Sequence, residues 1–410
     1  MMKFEKQEKV VLGHVDGDVS IKKCSLLVPE SGDTITINGA LVVRGSLTVR
    51  GALHVERLEA RGLLTVEGDL IVETTVVVKK DDLEVEGNFR CREVSVDKTL
   101  VVRGDLECVA AKGGGSIRVD GSVKAARVAG GGSITIKGSA QVQRLAVGGA
   151  LRVGGAIDAE ELAAGGSASV GHGRIVSVSV GGVLCTQESV EIDRLNVGGT
   201  VSLGPASIVK SANVGGSLEG EGDLSFGRLH VGGTVRIRGT GRGEEVSVGG
   251  AIRVGGDLEL ERQLDVGGKI NVGGSIHCAG DISVGGSLIA GGRVKGDTVS
   301  IGGSVEAQLV EARLFKIGRK GEVSAPVVAD EVLIKERSRS GVIYGGRVRV
   351  EEKARVQSIY AKEVYIESGV RVQSSVIYTD DLYIEEGASL GEEPQRVDAL
   401  PSSESVLGLD

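Results

Sequence analysis

Glycine recurs along this chain at a nearly fixed interval. Gly51, Gly68, Gly87, Gly104, Gly121, Gly138 and Gly155 are spaced 17, 19, 17, 17, 17 and 17 residues apart. The positions four and two before each, and two and four after, are apolar in all seven units. Around Gly51 they are Leu47, Val49, Leu53 and Val55, and around Gly121 they are Ile117, Val119, Val123 and Ala125. In a chain with 40% hydrophobic residues, chance produces such a match with a probability on the order of 10⁻¹¹. A second ladder follows, in which Val180, Val197, Val214, Val231, Val248, Val266, Val284 and Ile301 each precede Gly-Gly at intervals of 17 or 18. A period of this length belongs to stacked supersecondary units.

Within one period the recurring element is six residues: apolar, any, apolar, any, Gly, small. LTVRGA (47–52) and INVGGS (270–275) show it. Alternation predicts a strand with one face inward. The Gly-small pair predicts a corner, where glycine gives either positive φ or room for close approach. Three strands and three corners make one coil. The expected fold is therefore all-β: a single-stranded parallel β-helix, a three-sided solenoid with 17–18 residues per coil. Between Val10 and Leu390 there is room for roughly 21 coils, a rod on the order of 100 Å at strand spacing. Such a core grows in one dimension and escapes the size limit of compact domains.

Composition agrees. There are 66 glycines in 410 residues but five prolines, and glycine does not recur every third residue, which excludes collagen. Dense Val, Ile and Leu exclude general disorder. Aromatics are 2% of the chain and Trp is absent, as expected if a narrow lumen admits aliphatic side chains and fits rings poorly.

Four regions are expected: an N-terminal tail over 1–9, a Gly/Val-rich β-helix over 10–330, C-terminal coils over 331–390, and an acidic disordered tail over 391–410. Residues 79–82 hold the one two-residue insertion of the first ladder and read as a loop at a corner. In the C-terminal coils glycine thins out and all five tyrosines appear, beside a basic zone of Lys335, Arg337, Arg339, Arg347, Arg349, Lys353 and Arg355. The net charge is −8. Residues 380–410 alone hold nine acids against Arg396, which accounts for all of it. A balanced body with an acidic end argues against nucleic acid as a partner.

Chemistry is sparse in the sequence. His54, His230 and His277 each stand between two inward residues and should face solvent, and His230 and His277 fall on different faces. No pair of histidines shares a carboxylate in metal-binding or catalytic spacing. No Gly-Gly precedes a GK[ST] signature. The expectation is no catalytic residue, no metal, no cofactor and no small-molecule substrate. Cys91 and Cys108 fall on adjacent rungs of one inward column and read as small buried hydrophobes. Five scattered cysteines, with no secretory segment and no apolar run of 18, suit a reducing compartment. Arg50, Glu67, Glu86, Arg103, Asp120 and Lys137 alternate in sign from coil to coil and read as an exposed ion-pair ladder. Tyr365 and Tyr383 stand outward one coil apart, as a stacked ladder or a lateral contact. Met1, Met2, Lys3 and Phe4 could touch a membrane surface, with Glu5 and Glu8 offsetting the lysines.

The Gly-cornered, Val-rich coil, and above all VYIESGVRVQSSVIYTDDLYIEEGAS (364–389), resembles the bactofilins, the polymer-forming cytoskeletal proteins. The resemblance implies a right-handed β-helix, nucleotide-free head-to-tail polymerisation and, as is often so in that family, membrane association through a short N-terminal segment; the cysteine usage sets the expected location as cytoplasmic. This chain has many more coils than is usual in that family. The expected function is a scaffold that self-assembles through its end coils, with Val10, Leu12, Val19 and Ile21 at one end and Leu382, Ile384 and Leu390 at the other. The alternatives are a β-helix enzyme, which would need loop insertions that the constant coil length does not supply, and an extracellular fibre or adhesin, which would need export.

Overall fold

The computed structural model describes residues 1–407. About 68% of the chain is strand and 1% helix, and the strands form a parallel β-solenoid of about 23 turns. The chain divides into two units, Met1–Gly204 and Pro205–Asp410.

In the first unit, the first face of each coil is a short strand: Leu47–Val49, Leu64–Val66, Leu83–Val85, Leu100–Val102 and Ile117–Val119. They stack in register, Leu47 on Leu64, Leu83, Leu100 and Ile117 in turn. That column and the valine column two residues on are buried. The second and third faces are halves of one strand. In Val123–Gly130 burial alternates as far as Ala125, then Ala126 and Arg127 both stand outward, and alternation resumes at Val128. Two successive outward residues turn the chain, so this corner needs neither glycine nor a left-handed residue. In place of three strands and three corners, the regular coil is two strands, one of them bent.

At the remaining corners glycine serves close approach. A Cβ on Gly131 would stand 2.1 Å from the carbonyl oxygen of Gly114, and one on Gly148 2.3 Å from that of Gly131. The backbones are this near because each coil bonds to its neighbour here, as in Gly148 N–H to Gly130 O at 3.0 Å. The small residue after the corner glycine extends the ladder. Asp69 Oδ1 accepts from Asn88 N–H, Asn88 Oδ1 from Asp105 N–H, and Asp105 Oδ1 from Ser122 N–H, at 2.7–3.0 Å. A short acceptor side chain thus bonds one coil to the next. The two-residue insertion is only half a corner loop: one residue enters at the bend of Leu70–Lys79, where the register shifts between Val72 and Val76, and the other at the corner beyond Lys79, where Lys80 has φ 69° and its N–H donates to Asp97 Oδ2 at 2.8 Å.

The N-terminus differs from expectation. Residues 2–5 are a strand, Met2–Glu5, parallel to Val19–Lys22. Met2 and Phe4 pair with the fully buried Val19 and Ile21, so the first coil begins at residue 2.

The second unit repeats the pattern. Val214, Val231, Val248, Val266, Val284 and Ile301 are all buried, and Thr240 and Ser275 N–H groups donate to Asp223 and Asp257. Rings do enter the lumen: Phe226 and Phe315 are buried here, as Phe89 is in the first unit. Phe226 fits because its partner in the next coil is Gly243, where a Cβ would come 2.1 Å from the ring. The C-terminal coils turn by another device. Lys320, Arg337, Lys353, Gly369 and Gly387 all have left-handed φ between 58° and 88°, so the corner no longer depends on Gly-Gly. The basic zone is partly neutralised, with Arg347 Nε 2.8 Å from Glu363 Oε2 and Arg349 Nη2 2.7 Å from Glu367 Oε1. The segment expected to be disordered carries one more strand, Gln395–Arg396, paired with Ile377 and Tyr378, and a helical turn, Ser403–Leu407. Residues 408–410 lie outside the described residues.

Candidate functional site

A solenoid satisfies its backbone by stacking, so its terminal coils are where unpaired N–H and C=O groups collect. In the first unit the edge consists of Met2–Glu5, Lys9–Leu12 and His14–Asp16. Among the described residues each pairs on one side only, with Val19–Lys22, Leu26–Pro29 and Thr34–Arg44 respectively. Val10 and Leu12 belong to this edge but are 2% and 7% exposed. Val19 and Ile21, expected in the terminal layer, lie one coil in and are fully covered by Met2 and Phe4. Met1, Met2 and Lys3 are exposed and Phe4 is half-buried. Of the four residues expected to touch a membrane, Met2, Lys3 and Phe4 belong to the edge strand and Met1 precedes it. Their alternation of Met2 and Phe4 with Lys3 and Glu5 was a strand signal in the sequence. Lys22 Nζ lies 2.5 Å from Glu5 Oε1 and holds that carboxyl below its ordinary range.

In the second unit an edge comprises the end of Val376–Ile384, then Ser389–Leu390 and Gln395–Arg396. Leu382, Tyr383 and Ile384 stack on Val364, Tyr365 and Ile366. Among the described residues no strand pairs on their open side. The apolar layer is open too: Leu382 and Leu390 are half-buried and Ile384 is 37% exposed. The helical turn Ser403–Leu407 buries none of its residues.

Tyr365 and Tyr383 form the expected stack, with centroids 4.7 Å apart and planes within 10°. The guanidinium of Arg349 lies 5.0 Å above the Tyr365 ring, a cation–π contact absent from the sequence reading. The Tyr365 hydroxyl donates to Glu385 Oε1 at 2.8 Å, and that carboxylate pushes the phenol upward. Tyr383 ends the column, 55% exposed.

The other candidates do not converge. His54 Nε2 bonds Glu73 Oε1 at 2.7 Å, His172 lies 3.4 Å from Glu188, and His230 and His277 stand outward on different faces. Among the described residues no group of three or more His, Cys, Asp or Glu is placed to hold a metal ion. A groove of about 810 Å³ in the first unit has Cys91 and Cys108 in its floor and Arg90, Glu107 and Val109 on its walls. Both thiols are free and buried. Cys108 and burial together push the Cys91 thiol far above its usual range, which makes it a poor nucleophile. The ion-pair ladder is present. Asp120 meets Arg103 and Lys137 at 3.0 Å, and Arg103 lies 3.8 Å from Glu86. Hydrogen bonds from Lys137 and then Arg103 hold Asp120 far below the usual carboxylate range.

No helix among the described residues is long and apolar enough to cross a membrane. No protein-family model, curated protein or solved structure matches the chain.

Proposed function

We propose that this chain is a structural subunit that assembles with itself, without nucleotide or metal, through its terminal coils, and serves as a cytoplasmic scaffold of the bactofilin kind. The observation that carries the reading is the C-terminal edge: Leu382, Ile384 and Leu390 continue buried columns into solvent, beside backbone groups that no strand among the described residues pairs. Soluble solenoids ordinarily cover such an end with a polar cap. A second coil laid on this edge would bury the layer and satisfy the backbone together. The near-constant coils offer the flank little material for a cleft, which weighs against an enzyme.

The test is the double change Leu382→Lys with Ile384→Lys, which puts two charges into the terminal layer and leaves the inner coils alone. The wild-type protein should form filaments visible by negative stain in nucleotide-free, chelator-treated buffer. The variant should keep its circular dichroism and sediment as short species. Filaments of wild-type length from the folded variant would overturn assembly through the ends and leave a lateral face, such as Tyr365 and Tyr383, as the contact.

A further inference from the structure

We infer that Arg339, Arg355 and Arg371, stacked on the first face of the C-terminal coils, form a binding site for a linear inorganic polyphosphate chain. The site lies on the flank of the second unit and is independent of the end coils.

The three arginines are direct neighbours across successive coils, Arg339 on Arg355 and Arg355 on Arg371. Neighbouring strands lie about 4.8 Å apart, and like charges directly opposite each other destabilise a sheet. The same coils avoid this on the third face. There Arg347 stands between Glu331 and Glu363, 3.9 Å from the first and 2.8 Å from the second. On the first face no acid separates the arginines. All three are exposed, and among the described residues none of their guanidiniums has a hydrogen bond or an ion pair. Glu322 follows Arg339 in the column and is not ion-paired to it.

A second row of cations runs beside the first. Lys320, Arg337 and Lys353 stand two residues before Glu322, Arg339 and Arg355, and all three hold a left-handed φ of 58–59°. That region strains a residue with a Cβ, and the next two coils fill the position with Gly369 and Gly387. Three coils therefore keep a cation where glycine would be free of strain. The acids at this corner are already engaged, Glu336 by Arg319 at 3.3 Å and Glu352 by Lys353 at 3.7 Å. On the other side of the arginines stand Gln357 and Gln373, in the triplet Arg-Val-Gln that recurs at 355–357 and 371–373. Both are exposed, and among the described residues neither amide has a side-chain partner.

The geometry favours phosphoryl groups. A carboxylate has two oxygens in one plane and is filled by one guanidinium fork. A phosphoryl group presents three oxygens around a tetrahedral centre and can accept from forks on two adjacent coils at once. A chain of such groups laid along the column gives every arginine a partner and offsets the repulsion between them. The amides of Gln357 and Gln373 donate to the same oxygens. The surroundings weigh against other phosphate carriers. Bases would need rings to stack on, but Tyr344 and Tyr360 pair on the second face, and Tyr365 and Tyr383 on the third. Entry into a lipid surface would need exposed apolar side chains, and among the described residues no large one is exposed on this face.

The experiment is calorimetric titration of the full chain with inorganic tripolyphosphate, wild type against Arg355→Glu. The change turns the column into Arg–Glu–Arg, the alternation found on the third face. The wild type should bind, more weakly as salt rises. Arg355→Glu should bind about tenfold more weakly, while its melting temperature without ligand stays the same or rises. A wild type that takes up no tripolyphosphate, or a variant that binds as tightly, overturns the site. A variant that melts lower overturns the reading of Arg355 as unpaired. The charge-matched control is Arg61→Glu, in the like-signed column Lys22, Arg44, Arg61 and Lys79 of the first unit. Equal weakening there would reduce the binding to attraction by net charge and overturn the assignment to this face. Triglutamate binding as tightly as tripolyphosphate would make an acidic polypeptide the partner, and tighter binding of trithymidylate would make it a nucleic acid. Cosedimentation with phosphatidylglycerol vesicles that Arg355→Glu abolishes would make it a lipid headgroup. Each of these three results overturns the inorganic chain.

Discussion

Replacing Gly148 by Ala should open the corner at which it sits. The new Cβ would stand 2.3 Å from the carbonyl oxygen of Gly131 and 3.4 Å from its carbonyl carbon. Both atoms are backbone, so relief requires the two coils to part by about 0.7 Å. The Gly148 N–H bond to Gly130 O at 3.0 Å and the Gly149 N–H bond to Gly132 O at 2.9 Å lie at the same corner. Overpacking strain contributes about 1–3 kcal/mol and a weakened backbone bond about 0.5–1.5 kcal/mol. The reduced freedom of the unfolded chain offsets about 0.4–1 kcal/mol. The net loss is about 1–3 kcal/mol, confined to the neighbouring coils. The matched control is Gly341→Ala, because the nearest atom to its Cβ is 3.8 Å away and its φ lies outside the left-handed region. Only the unfolded-state effect remains there, so Gly341→Ala should be neutral or slightly stabilising. A solenoid opens locally, so hydrogen exchange with mass spectrometry is the assay. Peptides around residue 148 should exchange on the order of five- to a hundredfold faster in Gly148→Ala, and those around residue 341 should not change in Gly341→Ala. Equal protection in Gly148→Ala and wild type, or equal loss in both variants, would refute close approach as the reason for glycine at these corners.

Two further outcomes follow from the first unit. Val102→Asp places a carboxyl between Val85 and Val119, in a fully buried column, and should lower stability by several kcal/mol. Burial raises that new carboxyl above its unfolded value, so the deficit is smallest below about pH 4 and widens as pH rises. Thr48→Asp, at an outward position between Leu26 and Thr65, should be nearly silent, and equal melting losses in both variants would refute the assigned faces. Asp120→Asn removes the acceptor of three cations, and should lower stability by about 1 kcal/mol at pH 7 and low salt, because these are surface pairs. The carboxyl is held below its unfolded pKa, so its contribution is complete above about pH 4 and is lost as pH falls through the folded value. The wild type should therefore lose its advantage over Asp120→Asn on acidification, and a difference that is constant with pH would refute the linkage.

Much of this protein was legible in its sequence, because a stacked coil repeats one local problem many times. The spacing of Gly51 to Gly155 and the alternation around each glycine fixed the coil length and the inward columns. They also placed Asp120 outward among its cations, and the same alternation around Val364 and Leu382 placed Tyr365 and Tyr383 outward one coil apart. What they left open depends on neighbours one coil away. Glycine could serve positive φ or close approach, and the distance from Gly148 to the Gly131 carbonyl selects close approach at the Gly-Gly corners. At the C-terminal coils the left-handed Arg337 and Lys353 select the other device. The ring of Phe226 is admitted by the missing side chain of Gly243, a partner 17 residues away in sequence that only stacking brings into contact. The bend at Ala126 and Arg127 carries no turn residue to announce it. The ends show the same dependence most clearly. Met2 and Phe4 alternate over too few residues to establish a strand by themselves, and become the first rung only because Val19 and Ile21 lie beneath them. Local pattern determines which way a side chain points. Which backbone or ring it then meets is set by register between coils, and register is a property of the folded stack.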